Sequence, residues 1–326
     1  MPMSPILKYL LRLIPSYRLL EERKEQVTRE RDVLSVRIGQ LRKDLTATQL
    51  SLKLFPPGHY YSPLPSPEEI AETFARGEFG PPFPAINLNE AEQLARLERF
   101  AGYYPEQPFP VQPTAGRRFH LENFSYGPYD AIMLYSMLRE ARPKRIIEVG
   151  SGFSSAAMLD LNDHVLGGGI NFTFIDPDMS RLRPLLREGD ATCVTLIEKR
   201  VQDVPLDVFV ALGENDVLFI DSSHVSKIGS DVNWLYFNVL PTLAPGVLIH
   251  IHDVTGNLEY PREWLEEGRA WNEQYLLRAF LMNNSAYRIE LFTGWLFNTR
   301  LAWISEHLSL CRKGGGGQMW LRKLAK

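Results

Sequence analysis

Cysteine is almost missing from this chain, with only Cys193 and Cys311 in 326 residues. Two thiols give neither a disulfide framework nor a metal-finger spacing, so a reducing, cytoplasmic setting is expected. No apolar run approaches the ~20 residues that cross a bilayer. Excess charge is lacking too: 36 Lys and Arg oppose 39 Asp and Glu, for a formal charge of −3. That balance offers no general attraction to nucleic acid or anionic membrane, and no basic stripe interleaved with aromatics stands out. The opening PILKYLLRLIP is apolar but carries Lys8 and Arg12, has no small-residue cleavage site and runs into charged sequence. A secretory signal is not expected there. Residues 1–16 read as an amphipathic or disordered N-terminus, with peripheral membrane contact as the functional alternative.

Residues 17–54 contain no proline and a single glycine, Gly39. Leu20, Val27, Leu34 and Leu41 recur every seventh position, and Ile38, Leu45 and Leu52 form the interleaved row, which Lys24 and Arg31 interrupt. The spacing predicts a coiled-coil helix, with homo-oligomerisation or partner docking as its use and packing against its own domain as the plainer one. Proline then becomes dense: 13 of the 23 fall between Phe55 and Pro128. Within this proline-rich N-terminal subdomain, 55–128, Ser66-Pro67-Glu68-Glu69 predicts a capping box opening a helix that stops at Gly77. Asn89 is expected to cap a second helix ending at Gly102. Tyr60, Tyr61, Phe79, Phe83, Tyr103 and Tyr104 need somewhere to pack.

From 129 to 326 the pattern is α/β. Helices are expected at Ala131–Arg139 and Ser154–Leu161, along the face made by Ile228, Val232, Leu235, Tyr236 and Val239, and through EWLEEGRAWNEQYLLRAFLM. Seven strands are expected: Arg145–Val149, Phe172–Ile175, Cys193–Ile197, Val217–Ile220, Val247–Ile251, Tyr287–Phe292 and Gln318–Lys323. Apolar strands alternating with amphipathic helices imply a Rossmann-like, mostly parallel sheet with helices on both faces. Ligands then bind beyond the carboxyl ends of the strands.

Glu148 stands two residues before the glycine turn Gly150-Ser151-Gly152-Phe153-Ser154-Ser155. A dinucleotide would bring a pyrophosphate to that turn, where a nearby carboxylate repels it. A ligand bearing an ammonium group welcomes the carboxylate, while its own carboxylate can sit at the helix N-terminus. S-adenosyl-L-methionine has both groups. A nicotinamide oxidoreductase on the same sheet is thus disfavoured, and a non-catalytic coiled-coil scaffold keeping the sheet as a folded module is the other alternative.

The run IIEVGSGFSS resembles the first motif of class I S-adenosylmethionine-dependent methyltransferases. FIDPD resembles the family's second strand end, where Asp176 would take the ribose hydroxyls. Gln202 and Asp203 in RVQDVPL resemble the polar pair near adenine. LFIDSSH, with Asp221 at the strand end, and LAPGVLIHIHDV resemble the fourth and fifth motifs. The resemblance covers roughly residues 120–326 and implies that Glu148, Gly150, Ser151, Gly152, Ser154, Ser155, Asp176, Gln202 and Asp203 bind the cofactor.

A second group of polar residues concerns the methyl acceptor. Asp221 and His224 form D-x-x-H at one strand end; His250, His252 and Asp253 end the next. Asp221, His252 and Asp253 are candidate ligands of a divalent metal ion, which would ease deprotonation of a bound hydroxyl. His224, with a reference pKa near ~6.5, is the candidate general base, and Asp221 with Asp253 is expected to orient the hydroxyl, directly or through a metal. His250 reads as a core histidine. The arrangement is similar to that of macrolide sugar O-methyltransferases, with His252 in place of the first of their two adjacent acids. That resemblance implies O-methylation of a sugar or other small polyhydroxylated molecule. The tyrosine-bearing stretches GHYYSPLPS and ENFSYGPYD read as cavity wall or as aromatic packing, and GRAWNEQYLLRAF as acceptor-pocket or outer helix.

Overall fold

The run VLFI at Val217–Ile220 buries all four of its side chains, as a strand covered on both faces does. The computed structural model describes residues 15–51, 55–77, 79–314 and 317–325. Its seven strands are β1 (Arg145–Val149), β2 (Asn171–Ile175), β3 (Val194–Ile197), β4 (Val217–Ile220), β5 (Leu248–His252), β6 (Tyr287–Phe292) and β7 (Gln318–Lys323). They form one sheet in the order β3-β2-β1-β4-β5-β7-β6. The first five pair in parallel, and β7 enters antiparallel between β5 and β6. The strand order reverses between β1 and β4, so the ends of these two strands define the ligand crevice.

The chain divides into two compact units, Met1–Ala71 and Glu72–Lys326. In the first, α1 (Pro15–Ser51) is a single helix on which Leu20, Val27, Leu34, Ile38 and Leu41 are all exposed. Residues 1–14 and 52–54, and the side chain of Leu45, lie outside the described residues. α2 (Pro67–Arg76) starts with the expected capping box: Glu69 N donates to Ser66 Oγ at 3.2 Å, and Ser66 N to Glu69 Oε2 at 2.8 Å. Gly77 follows in the left-handed region. Tyr60 and Tyr61 do not pack into a core; they are exposed and cluster with His59 instead.

In the second unit, Phe83, Leu97, Phe100, Phe109, Phe119 and Tyr126 join the core of the sheet. Much of the proline-rich sequence is therefore built into that core. Asn89 does not cap α3 (Glu90–Tyr103): it is itself left-handed, and its side-chain amide donates to Ile289 O at 3.0 Å, tying the helix to β6. α3 runs through Gly102. α4 (Pro128–Ala141) is buried from Tyr129 to Leu138, as a helix without a polar face must be. α5 (Phe153–His164) follows β1.

Three regions depart from expectation. The long helix expected over EWLEEGRAWNEQYLLRAFLM is broken into Arg262–Glu266 and α6 (Glu273–Leu281), because Gly268 turns into the left-handed region. Ile228 is fully exposed, and the helical stretch begins at Asp231, with a π-helical turn over Leu235–Val239. β6 and β7 pair antiparallel as YRIELF and QMWLRK suggest, but α7 (Thr293–His307) lies between them in place of a hairpin turn.

Candidate functional site

Beyond the ends of β1, β2, β4 and β5 opens a cavity of about 1090 Å³. Its wall includes Gly150–Ser154, Asp176, Gln202, Asp221–His224, His252, Asp253, Arg269 and Trp271. The glycine turn is locked from three sides. Gly150 N donates to Ile175 O at 3.0 Å, and Asp221 N donates to Val149 O at 2.9 Å. Gly150 has φ 84°, and a Cβ there would lie 1.8 Å from Asp221 O. Only glycine lets β1 pass this close to the end of β4. Ser151 N donates to Asp176 Oδ2 at 2.9 Å, so the acid ending β2 holds the turn. Gly152 N donates to Ser155 Oγ at 3.0 Å.

Glu148 lies beneath the turn, not in the cavity wall. It is fully buried, and the hydroxyls of Ser154, at 2.5 Å, and Ser155 reach its two oxygens. Burial pushes its carboxyl up to about 8, with the two serine hydroxyls pulling the other way. Ser155 is likewise behind the wall. Asp203 is also outside it, paired with Arg200 at 2.9 Å, whereas Gln202 lines the cavity and donates to Gly229 O at 2.8 Å. Gly150, Ser151, Gly152, Ser154 and Asp176 therefore face the cavity directly, and Glu148 and Ser155 brace them from below.

At the other end of the cavity wall, β4 delivers Asp221 and β5 delivers His252 and Asp253. Asp253 has φ 54°, a turn that brings it round to the same cavity as His252. His224 also sits at positive φ, 59°. Two non-glycine residues in this costly region at one site mark a backbone held by its surroundings. His224 Nε2 lies 3.3 Å from Asp221 Oδ1 and 3.4 Å from Asp253 Oδ2, and Nδ1 lies 2.9 Å from Glu273 Oε2. Burial disfavours the imidazolium, but the hydrogen bonds to Asp221 and Glu273 outweigh it and lift His224 to about 10.

The trio of ligand atoms that meets is not the one expected from sequence. Asp221, His224 and Asp253 bring theirs within 4.8 Å of one another. His252 stays in the wall, stacked on Tyr126 at 5.3 Å, with its Nε2 4.0 Å from Asp253 Oδ1. Two carboxylates and an imidazole whose other nitrogen is held by a carboxylate suit a divalent cation. His250 is a core residue. It is fully buried, its ring stacks on Phe219 at 3.8 Å, and neither nitrogen has a hydrogen-bond partner among the described residues. Burial holds it well below the usual histidine range. Of Arg269, Trp271 and Glu273, which the sequence offers as acceptor-pocket or outer-helix residues, the first two line the cavity and Glu273 lies behind it on His224 Nδ1.

A family model described as a methyltransferase domain matches residues 147–254, which span β1 to β5 and every strand-end motif. An uncharacterised protein of the archaeon Archaeoglobus fulgidus is 34% identical over 170 residues, covering 50% of this chain and 76% of that protein. Among solved structures, the O-methyltransferase TomG of Streptomyces achromogenes, in complex with SAM and involved in tomaymycin synthesis, is 17% identical; the match covers 71% of this chain and 90% of that one, with TM-score 0.39. The D160 form of cmcI with Mg and SAM is 20% identical, covering 69% and 84%, with TM-score 0.38. The seven-stranded fold and the matched segment from β1 to β5 define a methyltransferase-type α/β domain. This chain belongs to the class I S-adenosylmethionine-dependent methyltransferases.

Proposed function

We propose that the chain transfers the methyl group of S-adenosylmethionine to a hydroxyl of a small polyhydroxylated acceptor, such as a sugar, with His224 as general base. The observation that supports this most is the placement of His224 Nε2. It stands in the wall of the cavity that also contains the glycine turn, between Asp221 and Asp253. In the transfer the acceptor oxygen forms a bond to the methyl carbon, the sulfonium–carbon bond breaks, and the hydroxyl proton passes to His224 Nε2. S-adenosylhomocysteine and the methyl ether are the products. Most of the acceleration would come from alignment of the two reactants, up to about 7–11 kcal/mol.

The carboxylates of Asp221 and Glu273 favour a proton already resident on His224, which a base must first lose. A divalent cation held by Asp221 and Asp253 would offset the field of Asp221 at the imidazole and supply Lewis acidity to the acceptor hydroxyl. A second reading makes His224 Nε2 a third ligand, favoured by the grouping of the three ligand atoms. The exposed heptad positions of α1 support self-association through that helix, the quaternary arrangement we propose.

The test is transfer of isotopically labelled methyl to a panel of glycosides. His224→Ala is expected to lower turnover by about 100-fold or more while leaving S-adenosylhomocysteine binding intact. Transfer at the parent rate in the variant would remove the base assignment. Loss of cation binding in the same variant would select the ligand reading.

A further inference from the structure

The stretch Arg269–Glu273, joining the broken helix to α6, touches the candidate base at four points. We propose that Trp271, Asn272 and Glu273 form a positioning clamp for His224, in which Glu273 fixes which imidazole nitrogen faces the cavity. This rests on the reading of His224 as the reactive imidazole.

The backbone grip comes first. Asn272 N and Glu273 N both donate to His224 O, at 3.0 and 3.1 Å. These are the opening amides of α6, which lack partners within their own helix. The carbonyl they hold belongs to a residue at φ 59°, so the clamp opposes relaxation of that strained backbone. The Asn272 side chain extends the grip two residues further, accepting from Ser226 N at 2.6 Å and donating to Ser226 O at 3.2 Å.

The ring is held next. The indole of Trp271 lies against the imidazole with centroids 4.4 Å apart, and Arg269 covers the Trp271 ring at 4.9 Å. Glu273 is 2% exposed, and its Oε2 meets His224 Nδ1 at 2.9 Å. A carboxylate accepts there, so Nδ1 carries its hydrogen toward Glu273 and Nε2 is the nitrogen presented to Asp221, Asp253 and the cavity. The left-handed turn at Gly268 makes this possible, because a continuous helix would carry Trp271 and Glu273 on its own surface spacing.

The experiment uses the full chain with 15N-labelled histidine, saturated with S-adenosylhomocysteine, and long-range 1H–15N spectra of the imidazoles. His224→Gln assigns the His224 signals. The parent protein is expected to show a downfield, slowly exchanging Nδ1–H. In Glu273→Gln that resonance moves upfield and broadens while cofactor-product binding persists, and Glu273→Asp falls between the two. An unchanged Nδ1–H in Glu273→Gln overturns the clamp. If Glu273→Gln does not fold, Glu273→Asp decides alone: a shift supports the clamp and an unchanged signal overturns it. Labelled-methyl transfer to the glycoside panel by His224→Gln reports separately on the base reading. Retained transfer there removes that reading whatever the spectra show.

Discussion

The main chain of Gly150 passes so close to Asp221 that a β-carbon on the glycine would sit 1.8 Å from the aspartate's carbonyl oxygen. This contact joins the glycine turn after β1 to the Asp221 end of β4. Gly150→Ala has to push the two strand ends apart and also hold alanine at φ 84°. The expected outcome is a loss of stability of about 1–3 kcal/mol and loss of S-adenosylhomocysteine binding. Urea unfolding and calorimetry check the two effects separately.

Glu148 gives a prediction with a defined sign. Its carboxyl moves from an ordinary 4.5 up to about 8 on burial. Between those values the folded chain keeps a proton that the unfolded chain releases. The contribution is therefore fully present below the unfolded value and lost as pH rises through about 8. Glu148→Gln keeps a hydrogen-bonding amide beside Ser154 and Ser155 but has no proton to lose. Its stability relative to the parent is expected to rise between about pH 5 and about pH 9. An equal offset at both pH values would contradict the assignment.

Arg118 is buried against three acids: Asp160 at 2.9 Å, Asp163 at 2.7 Å, and Asp190. Arg118→Met would leave Asp160 and Asp190 buried without their cation. A loss of about 3–5 kcal/mol in urea unfolding is expected, because desolvated charge left unpaired is expensive. The cavity lies elsewhere, so folded variant protein should bind S-adenosylhomocysteine as the parent does.

The donor set Asp221, His224 and Asp253 predicts a preference among cations. Imidazole favours Mn²⁺ or Zn²⁺ over Mg²⁺. Titration with each ion should show the tighter binding for Mn²⁺ and Zn²⁺, and Asp253→Asn should weaken it by about 10-fold or more. Equal, weak binding in parent and variant would point to a cation-free site.

Much of the domain was legible because its signals are local. β1, β4, β6 and β7 begin and end at the residues the apolar runs indicate, and the capping box at Ser66 and Glu69 needs only four residues to form. The strand-end acids were legible for the same reason, since strand ends place side chains at the crevice. What escaped depends on contacts distant in sequence. Asn89 looks like a helix cap, yet bonds to Ile289, 200 positions away. The helix through Gly268 breaks where the chain must return to His224, and periodicity carries no record of that demand. Charge and the IIEVGSGFSS resemblance both put Glu148 at the ligand, while in the fold the serines of α5 enclose it. The sequence offers His252 as the imidazole beside Asp221 and Asp253, but it is His224, at positive φ, whose Nε2 lies near both aspartates.

The most direct measurement is calorimetric titration of the full chain with S-adenosylhomocysteine, alongside Asp176→Ala. Asp176 accepts from Ser151 N and Asp178 N and lines the cavity. The account predicts one site per chain, with affinity reduced by about 10-fold or more when this hydrogen-bonded carboxylate is removed. Well-folded parent protein that binds no S-adenosylhomocysteine, or an Asp176→Ala variant that binds it as tightly as the parent, would contradict it.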